Sequence, residues 1–166
     1  SYVSNTGTLQ ADGGMVTMSA QAVTDVIKSV VNNEGVIRAQ SMTERNGVVV
    51  LSGGNEGIVS VSGTIDASGA GVGQTGGTVH VLGEKVGLFD HANINASGDA
   101  GGGTVLVGGD YQGKNPDIQN AFRTYVSADS TINADALTNG NGGKVIVLAD
   151  DTTRYYGHII ARGGSQ

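Results

Sequence analysis

The sequence contains no cysteine, no tryptophan and a single proline, and its only aromatic residues are five tyrosines and two phenylalanines. The missing cysteine removes thiol nucleophiles from consideration. So few rings exclude a conventional aromatic-cored β-sandwich, whereas a hydrophobic content of 38% excludes a disordered tract. The chain therefore folds around a core of small aliphatic side chains.

Clusters of basic residues and long apolar runs are also absent. The net charge is −6, and no group of lysines or arginines follows a surface on which phosphates could lie, which argues against a nucleic-acid partner. No run of 18 apolar residues predicts a membrane span, and no signal-like segment opens the chain. Because the first residue is serine, we interpret residues 1–166 as one domain, a fragment of a longer secreted protein.

A short phrase recurs six times, as in GTIDASG from Gly63 and ANINASG from Ala92. Its aliphatic residues follow one another at steps of 27 to 29 residues, apart from one step of 38. The six aliphatic positions are Leu9, Ile37, Ile65, Ile94, Ile132 and Ile159. An alanine stands two residues after each of them, at Ala11, Ala39, Ala67, Ala96, Ala134 and Ala161. Positions i and i+2 of a strand share a face, so we expect both columns to point inward.

Two further patterns repeat with the same period. A mostly apolar column lies six positions before each aliphatic residue, at Val3, Val31, Val59, Leu88, Val126 and Thr153. A third strand-like block, such as GGTVHVL from Gly76, follows each glycine turn except the last. Each unit of about 28 residues thus carries three short strands and is too small to bury its own apolar face. The pattern predicts an all-β parallel β-helix of about six coils.

Two inserts interrupt the coils. The spacing of valines and isoleucine over about 20–31 predicts a short helix. Residues from about 109 to 124 predict a loop insert, and we expect its Tyr111, Ile118 and Phe122 to fold over outward-facing Leu106 and Ile146.

The candidate contact residues for a glycan or a partner lie outside the predicted core. Tyrosines near the second insert and the last coil offer rings on which a sugar stacks, and an outward polar row runs between the two inward columns. The candidates are Tyr111, Tyr125, Tyr155, Tyr156, Asp66 and Asn95.

Catalytic and metal sites have little support. The aspartates, at Asp66, Asp90, Asp110, Asp135, Asp150 and Asp151, stand mostly at turns and form no pair that recurs one coil apart. The three histidines lie in separate segments without ligand spacing. We therefore expect no enzyme, no cofactor and no metal. A carbohydrate-active β-helix enzyme, such as a polysaccharide lyase or hydrolase, and a specific glycan-binding module remain the alternatives.

Four stretches carry a family resemblance: AQAVTDVIKSVVNNEGVIRAQSMTERNGVVVLSGG, then GTIDASG with GGTVHVLGEKVGL, then NASGDAGGGTVLVGGDYQGKNP, and INADALTNGNGGKVIVLADDTTRYYGHIIARGG. They resemble the repeat region of filamentous-haemagglutinin-like exoproteins, the large adhesins of bacterial two-partner secretion, including the high-molecular-weight adhesin type. The GGDYQGKNP insert with the following NGGKVIVLADD is the most specific part.

The resemblance implies a right-handed β-helical shaft that is secreted or displayed on a Gram-negative cell surface, exported through an outer-membrane pore partner. It also implies attachment to host cells, to a host or matrix receptor, or to a biofilm matrix, with a role in virulence. The family's N-terminal secretion domain is not recognisable in the sequence, so we expect this segment to lie outside the part that engages the pore.

Overall fold

The computed structural model describes residues 1–21, 30–42 and 44–166 and consists of short β-strands. In chain order the strands are β1 (Tyr2–Asn5), β2 (Thr8–Gln10), β3 (Met15–Ser19), β4 (Val30–Asn33), β5 (Val36–Arg38), β6 (Val48–Ser52), β7 (Ile58–Val61), β8 (Thr64–Asp66), β9 (Thr78–Leu82), β10 (Lys85–Leu88), β11 (Asn93–Asn95), β12 (Thr104–Val107), β13 (Arg123–Val126), β14 (Thr131–Asn133), β15 (Lys144–Val147), β16 (Thr152–Tyr155) and β17 (His158–Ile160).

Each strand pairs in parallel with the strand three places later in the chain. Sheet A has the order β1-β4-β7-β10-β13-β16, sheet B contains β2, β5, β8, β11, β14 and β17, and sheet C contains β3, β6, β9, β12 and β15. One strand from each sheet makes one coil, so the described residues form six rungs in two sheets and five in the third. The parallel β-helix that the sequence predicts is therefore the observed architecture.

The aliphatic ladder runs through the middle of sheet B. Leu9 pairs with Ile37, Ile37 with Ile65, and the register continues unbroken to Ile159. The four inner members are completely buried, whereas Leu9 in the first rung is 38% exposed and Ile159 in the last is 43% exposed. Burial of each ladder residue thus depends on having a coil on both sides.

The alanines lie at a corner where backbone from the next strand approaches closely. The amide of Gly103 donates to the carbonyl of Ala96 at 2.7 Å, and Gly143 donates to Ala134 in the same way. A β-carbon added at Gly102 would lie 1.8 Å from the Ala134 carbonyl oxygen, closer than any real contact. The paired glycines after each ASG or ADA phrase are therefore required by this close approach.

One predicted column is wrong in two coils. In sheet A, Val59 pairs with Val86 and not with Leu88, and Val86 pairs with Thr124 and not with Val126. Leu88 and Val126 occupy the neighbouring inward column with Val61. The reason is the corner between sheets A and B, which is two residues longer in these two coils; the first of the two corners holds Asp90 at a φ of 46°.

Both predicted inserts are shorter than expected. Val30 and Val31 belong to β4, so the predicted helix does not reach 31, and its residues 22–29 lie outside the described part of the chain. The second insert ends at Phe122, because Arg123 and Thr124 already belong to β13. It contains one 3-10 turn at Tyr111–Gly113, whose start is capped by the Asp110 side chain.

The second insert lies against sheet C. Asp110 is 3.5 Å from the Lys144 ammonium, and the Gln119 amide donates to the carbonyl of Gly54 at 2.8 Å, two coils away. Leu106, which points outward from sheet C, is only 3% exposed, as expected for a covered side chain. Tyr111 and Phe122 are 69% and 46% exposed, so neither ring is buried there, and coverage of this face by Tyr111, Ile118 and Phe122 stays a prediction. Within the described residues, no helix is long and apolar enough to cross a membrane.

Candidate functional site

A groove of about 470 Å³ lies on the outer face of sheet A. Strand alternation places its residues there: Val86 and Leu88 of β10 pack into the core, so Lys85 and Gly87 face outward. Parallel register then aligns Lys85 with Arg123 and Gly87 with Tyr125 on the next strand. The residues that matter below are Lys85, Gly87, Phe89, Arg123, Tyr125 and Arg154, and we name this surface the sheet A groove.

Three aromatic rings form a continuous cluster at the groove. The Phe89 and Tyr125 rings stack with centroids 5.3 Å apart, and Tyr156 is tilted against Tyr125 at 6.0 Å. Gly87 makes the arrangement possible, because a β-carbon there would lie 2.2 Å from the Phe89 ring. All three rings remain partly exposed, between 36% and 59%. The cluster therefore presents an apolar surface to solvent.

Positive charge is concentrated beside these rings. Arg154 is aligned with Tyr125 on the adjacent strand β16, next to the Lys85 and Arg123 pair. Arg123 is held by Asp151, with 3.3 Å between its Nε and the carboxylate, and it also lies 5.4 Å from the Phe122 ring centroid. Across the described part of the chain, Lys85 and Arg154 form no ion pair. Two cationic groups are thus available for a ligand.

The structure separates the four tyrosines that the sequence singled out. Tyr125 and Tyr156 lie together at the sheet A groove. Tyr111 stands on the second insert beside sheet C, away from that groove. Tyr155 pairs with Val126 in an inward column and packs against the core, where burial raises the pKa of its hydroxyl. Tyr155 is therefore absent from the surface that Tyr125 and Tyr156 share.

Asp66 and Asn95 have structural partners. Their side-chain oxygens accept hydrogen bonds from the amides of Ser68 and Ser97, at 3.0 and 2.9 Å, and Asn133 makes the same bond one coil later. Asp66 also accepts from Gln40 on the adjacent coil. These contacts explain the polar residue at this position in these three coils, since it closes the turn that follows the strand.

Four aspartates that could serve in catalysis are also engaged. The Asp135 carboxylate binds the Arg162 guanidinium, Asp150 accepts from Asn120, Asp151 contacts Arg123, and Asp110 accepts from the Tyr111 amide and from Asn115. The contacts from Asn115 and Tyr111 lower the pKa of Asp110. No group of three metal-ligating side chains occurs among residues 1–21, 30–42 and 44–166.

The histidines stay apart, as their spacing suggests. His80 faces outward from sheet C between Val50 and Leu106, and burial lowers its pKa. His91 lies 3.6 Å from the Asp129 carboxylate at an exposed corner. Neither arrangement brings a histidine to the sheet A groove.

Comparison with known proteins finds similarity among solved structures. No protein-family model and no curated protein matches the chain. Among solved structures, the crystal structure of the HMW1 secretion domain from Haemophilus influenzae matches with a TM-score of 0.85 and 30% sequence identity. The match covers 99% of this chain and 41% of that one, so the chain spans less than half the length of this relative. It confirms the right-handed parallel β-helix.

The match also bears on the place of this segment within a longer protein. We expected a part of the molecule distinct from the secretion domain, whereas the structural relative is a secretion domain. That expectation therefore gains no support from the comparison.

Proposed function

We propose that this chain, a β-helical segment of the filamentous-haemagglutinin-like, high-molecular-weight adhesin type, serves as a non-enzymatic shaft module of a large exported adhesin. The observation that carries the proposal is the unbroken register of equivalent residues from the first rung to the last. Each coil adds about 4.8 Å of length and repeats the contacts of the coil before it. The length of such a stack is therefore proportional to the number of residues in it.

The end rungs support the same role. Leu9 and Ile159 occupy the ladder positions that are fully buried in the middle coils, yet both are about two-fifths exposed. Strand edges and inward apolar residues at the ends are the surfaces against which a further coil stacks. We propose that residues 1–166 are one β-helical domain of a longer secreted protein, which accords with a match to 41% of a longer relative.

Export through an outer-membrane pore partner fits the composition and the topology. A chain without cysteine forms no disulfide that would hinder passage as an extended polypeptide. Strand pairing connects residues only one coil apart, so folding can proceed coil by coil as the chain emerges. We place the mature protein outside the cell or on the surface of a Gram-negative bacterium, supporting attachment to host cells or matrix, in biofilm and in virulence.

A test is to delete one coil from the full-length exoprotein. Removing residues 38–65 joins Ile37 to Asp66 and keeps the phase of all three sheets, while removing 38–51 joins Ile37 to Ser52 and destroys it. Surface display of the exoprotein and attachment of the bacteria to host cells are then measured. We expect the whole-coil deletion to preserve both and the half-coil deletion to abolish both.

Two outcomes would contradict the shaft role. Loss of attachment by a whole-coil variant that is still exported and folded indicates a specific site in the removed coil. Turnover of any polysaccharide by the intact chain would favour the carbohydrate-active enzyme instead.

A further inference from the structure

The sheet A groove has features that a shaft alone does not need. A regular coil requires small or aliphatic residues inside and tolerates most polar residues outside. Here three aromatic rings gather on the outer face, although the sequence has only five tyrosines and two phenylalanines, and Gly87 leaves room for one of them. Clustered, partly exposed rings over a concave surface are typical of ligand sites.

The charge of the groove is opposite to that of the chain. The whole sequence has 15 acidic and nine basic residues, yet three of the basic ones line the groove. The described residues that line it include no carboxylate, and only Asp151 reaches it from the side, through Arg123. Within the described residues, Lys85 and Arg154 have no ion-pair partner and lie next to the rings. This local concentration of positive charge favours an anionic ligand.

We propose that the sheet A groove binds a carboxylated polysaccharide of the uronic-acid type. The hydrocarbon face of a pyranose ring stacks on Tyr125 and Phe89, which places the carboxylate at the ring edge, toward the cations. The planar guanidinium of Arg154 matches a planar carboxylate with two parallel hydrogen bonds, and Lys85 adds a second charge.

The repeat of the fold suits a polymer. Arg123 on β13 and Arg154 on β16 stand on successive strands, about 4.8 Å apart along the helix axis. Positive charges repeat along the helix axis, and carboxylates repeat along a uronic-acid polymer. Successive sugar residues therefore each make a weak contact with the groove, and these contacts add up.

Other anionic polymers fit less well. A nucleic acid would bring many phosphates close to a molecule of net charge −6, and three cations cannot neutralise them. A peptide strand would need free backbone groups beside the rings, whereas β10 and β13, which carry Lys85, Arg123 and Tyr125, are each paired on both sides.

The proposal goes beyond the shaft role and is tested separately from it. Calorimetric titration of the intact chain with hexagalacturonate should show binding, weakened by added salt because charges are involved. The neutral hexamer cellohexaose should bind about tenfold more weakly or not at all, because the ion pairs supply the difference.

Matched variants locate the site. Tyr125→Leu and Arg154→Gln should each lower the affinity for hexagalacturonate by about tenfold, because each removes one anchor. Tyr111→Leu and Lys114→Gln likewise remove one tyrosine and one cationic side chain, but on the second insert, and should leave the affinity unchanged. Circular dichroism and the melting temperature identify any variant that fails to fold, and Lys85→Gln then replaces it, since Lys85 makes no ion pair in the described part of the chain.

Three results would overturn the proposal. The first is equal affinity for hexagalacturonate and cellohexaose. The second is equal loss of affinity in the groove and insert variants. The third is binding of dextran sulfate, of a single-stranded oligonucleotide or of polyglutamate as tight as that of the uronate, which would show an unspecific response to negative charge. In each case the shaft role and its deletion test would be unaffected.

Discussion

At the scale of single residues, one glycine column shows that the steric room for a side chain depends on its position in the stack. Gly7, Gly35 and Gly63 occupy the same place in successive coils. A β-carbon at Gly63 would lie 2.1 Å from the Gly35 carbonyl oxygen, and one at Gly35 would lie 2.1 Å from that of Gly7, but one at Gly7 would meet nothing within 4 Å. The carbonyl group of the preceding coil, and not the turn itself, therefore requires glycine at this position.

This column gives a matched pair of substitutions. Gly63→Ala should lower the free energy of unfolding by about 3 kcal/mol, because the coils must separate locally to admit a methyl group. Gly7→Ala should change it by less than about 0.5 kcal/mol. Urea unfolding followed by circular dichroism measures both. Equal effects of the two substitutions would contradict the stacking of these corners.

The alanine column predicts a second difference. Ala67 is completely buried at a narrow corner, so Ala67→Leu should destabilise the fold by about 1–3 kcal/mol through overpacking. Asp66→Asn should be nearly silent, because Asn95 already makes the same turn contact one coil later. Thermal unfolding of both variants checks the prediction. A silent Ala67→Leu would show that the corner is not closely packed.

The last coil is joined to the one before it by a titratable contact. Arg162 donates to the Asp135 carboxylate from its backbone amide at 2.7 Å and from its guanidinium at 2.8 Å, which lowers the pKa of Asp135. A lowered folded-state pKa means that this contribution to stability is present above the ordinary aspartate value of about 3.9 and is lost as pH falls through the lowered value.

Arg162→Gln should therefore reduce stability at pH 7 and flatten the loss of stability on acidification. Arg154→Gln, which removes an arginine without an ion pair in the described residues, should keep the acid dependence of the parent. Urea unfolding across the acid range measures both. The same acid dependence in Arg162→Gln and the parent would show that the contact contributes nothing.

At the scale of elements, the second insert is fastened at its start by Asp110. The carboxylate accepts from the Tyr111 amide at 2.7 Å and from the Asn115 side chain at 2.8 Å, and it contacts Lys144 of sheet C. These contacts hold the 3-10 turn and attach the insert to the coil.

The insert contains its own cleavage site, at Lys114. Asp110→Ala should accelerate cleavage after Lys114 by a lysine-specific protease, because losing a cap costs about 1 kcal/mol and opens the turn more often. Asp117→Ala removes an aspartate of the same insert whose carboxylate makes no hydrogen bond in the described part of the chain, and should leave the rate unchanged. Equal cleavage rates would show that Asp110 does not hold the insert.

Strands and corners differed in how far the sequence predicted them. The ladder of Ile65 and its equivalents followed from spacing alone, because in-register stacking demands the same residue at the same place. The prediction for Leu88 failed because it assumed a constant spacing of six residues, whereas the corner in this coil is two residues longer. Ala92 replaces glycine at this wider corner, which is a signal that could have been noticed.

At the scale of the whole molecule, the candidate surface was only partly predictable. Tyr125 precedes inward Val126 and is outward by alternation, and by the same rule Tyr155 shares the inward face of Thr153. Phe89 lies beyond the end of β10, where alternation no longer applies, so its place beside Tyr125 emerged only from the folded coil. Lys85 and Arg123 are 38 residues apart and became neighbours only through the register across the insert.

The register of the coils is tested most directly by spin labels on the outer face of sheet B. Thr64 and Asn93 are paired on adjacent strands, about 4.8 Å apart, whereas Thr8 and His158 occupy the same column five strands apart, or about 24 Å. Nitroxides attached through cysteines at Thr64 and Asn93 should give a continuous-wave spectrum strongly broadened by spin–spin coupling, while labels at Thr8 and His158 should not. An unbroadened spectrum for the Thr64 and Asn93 pair in the folded protein would contradict the in-register stack, and the shaft with it.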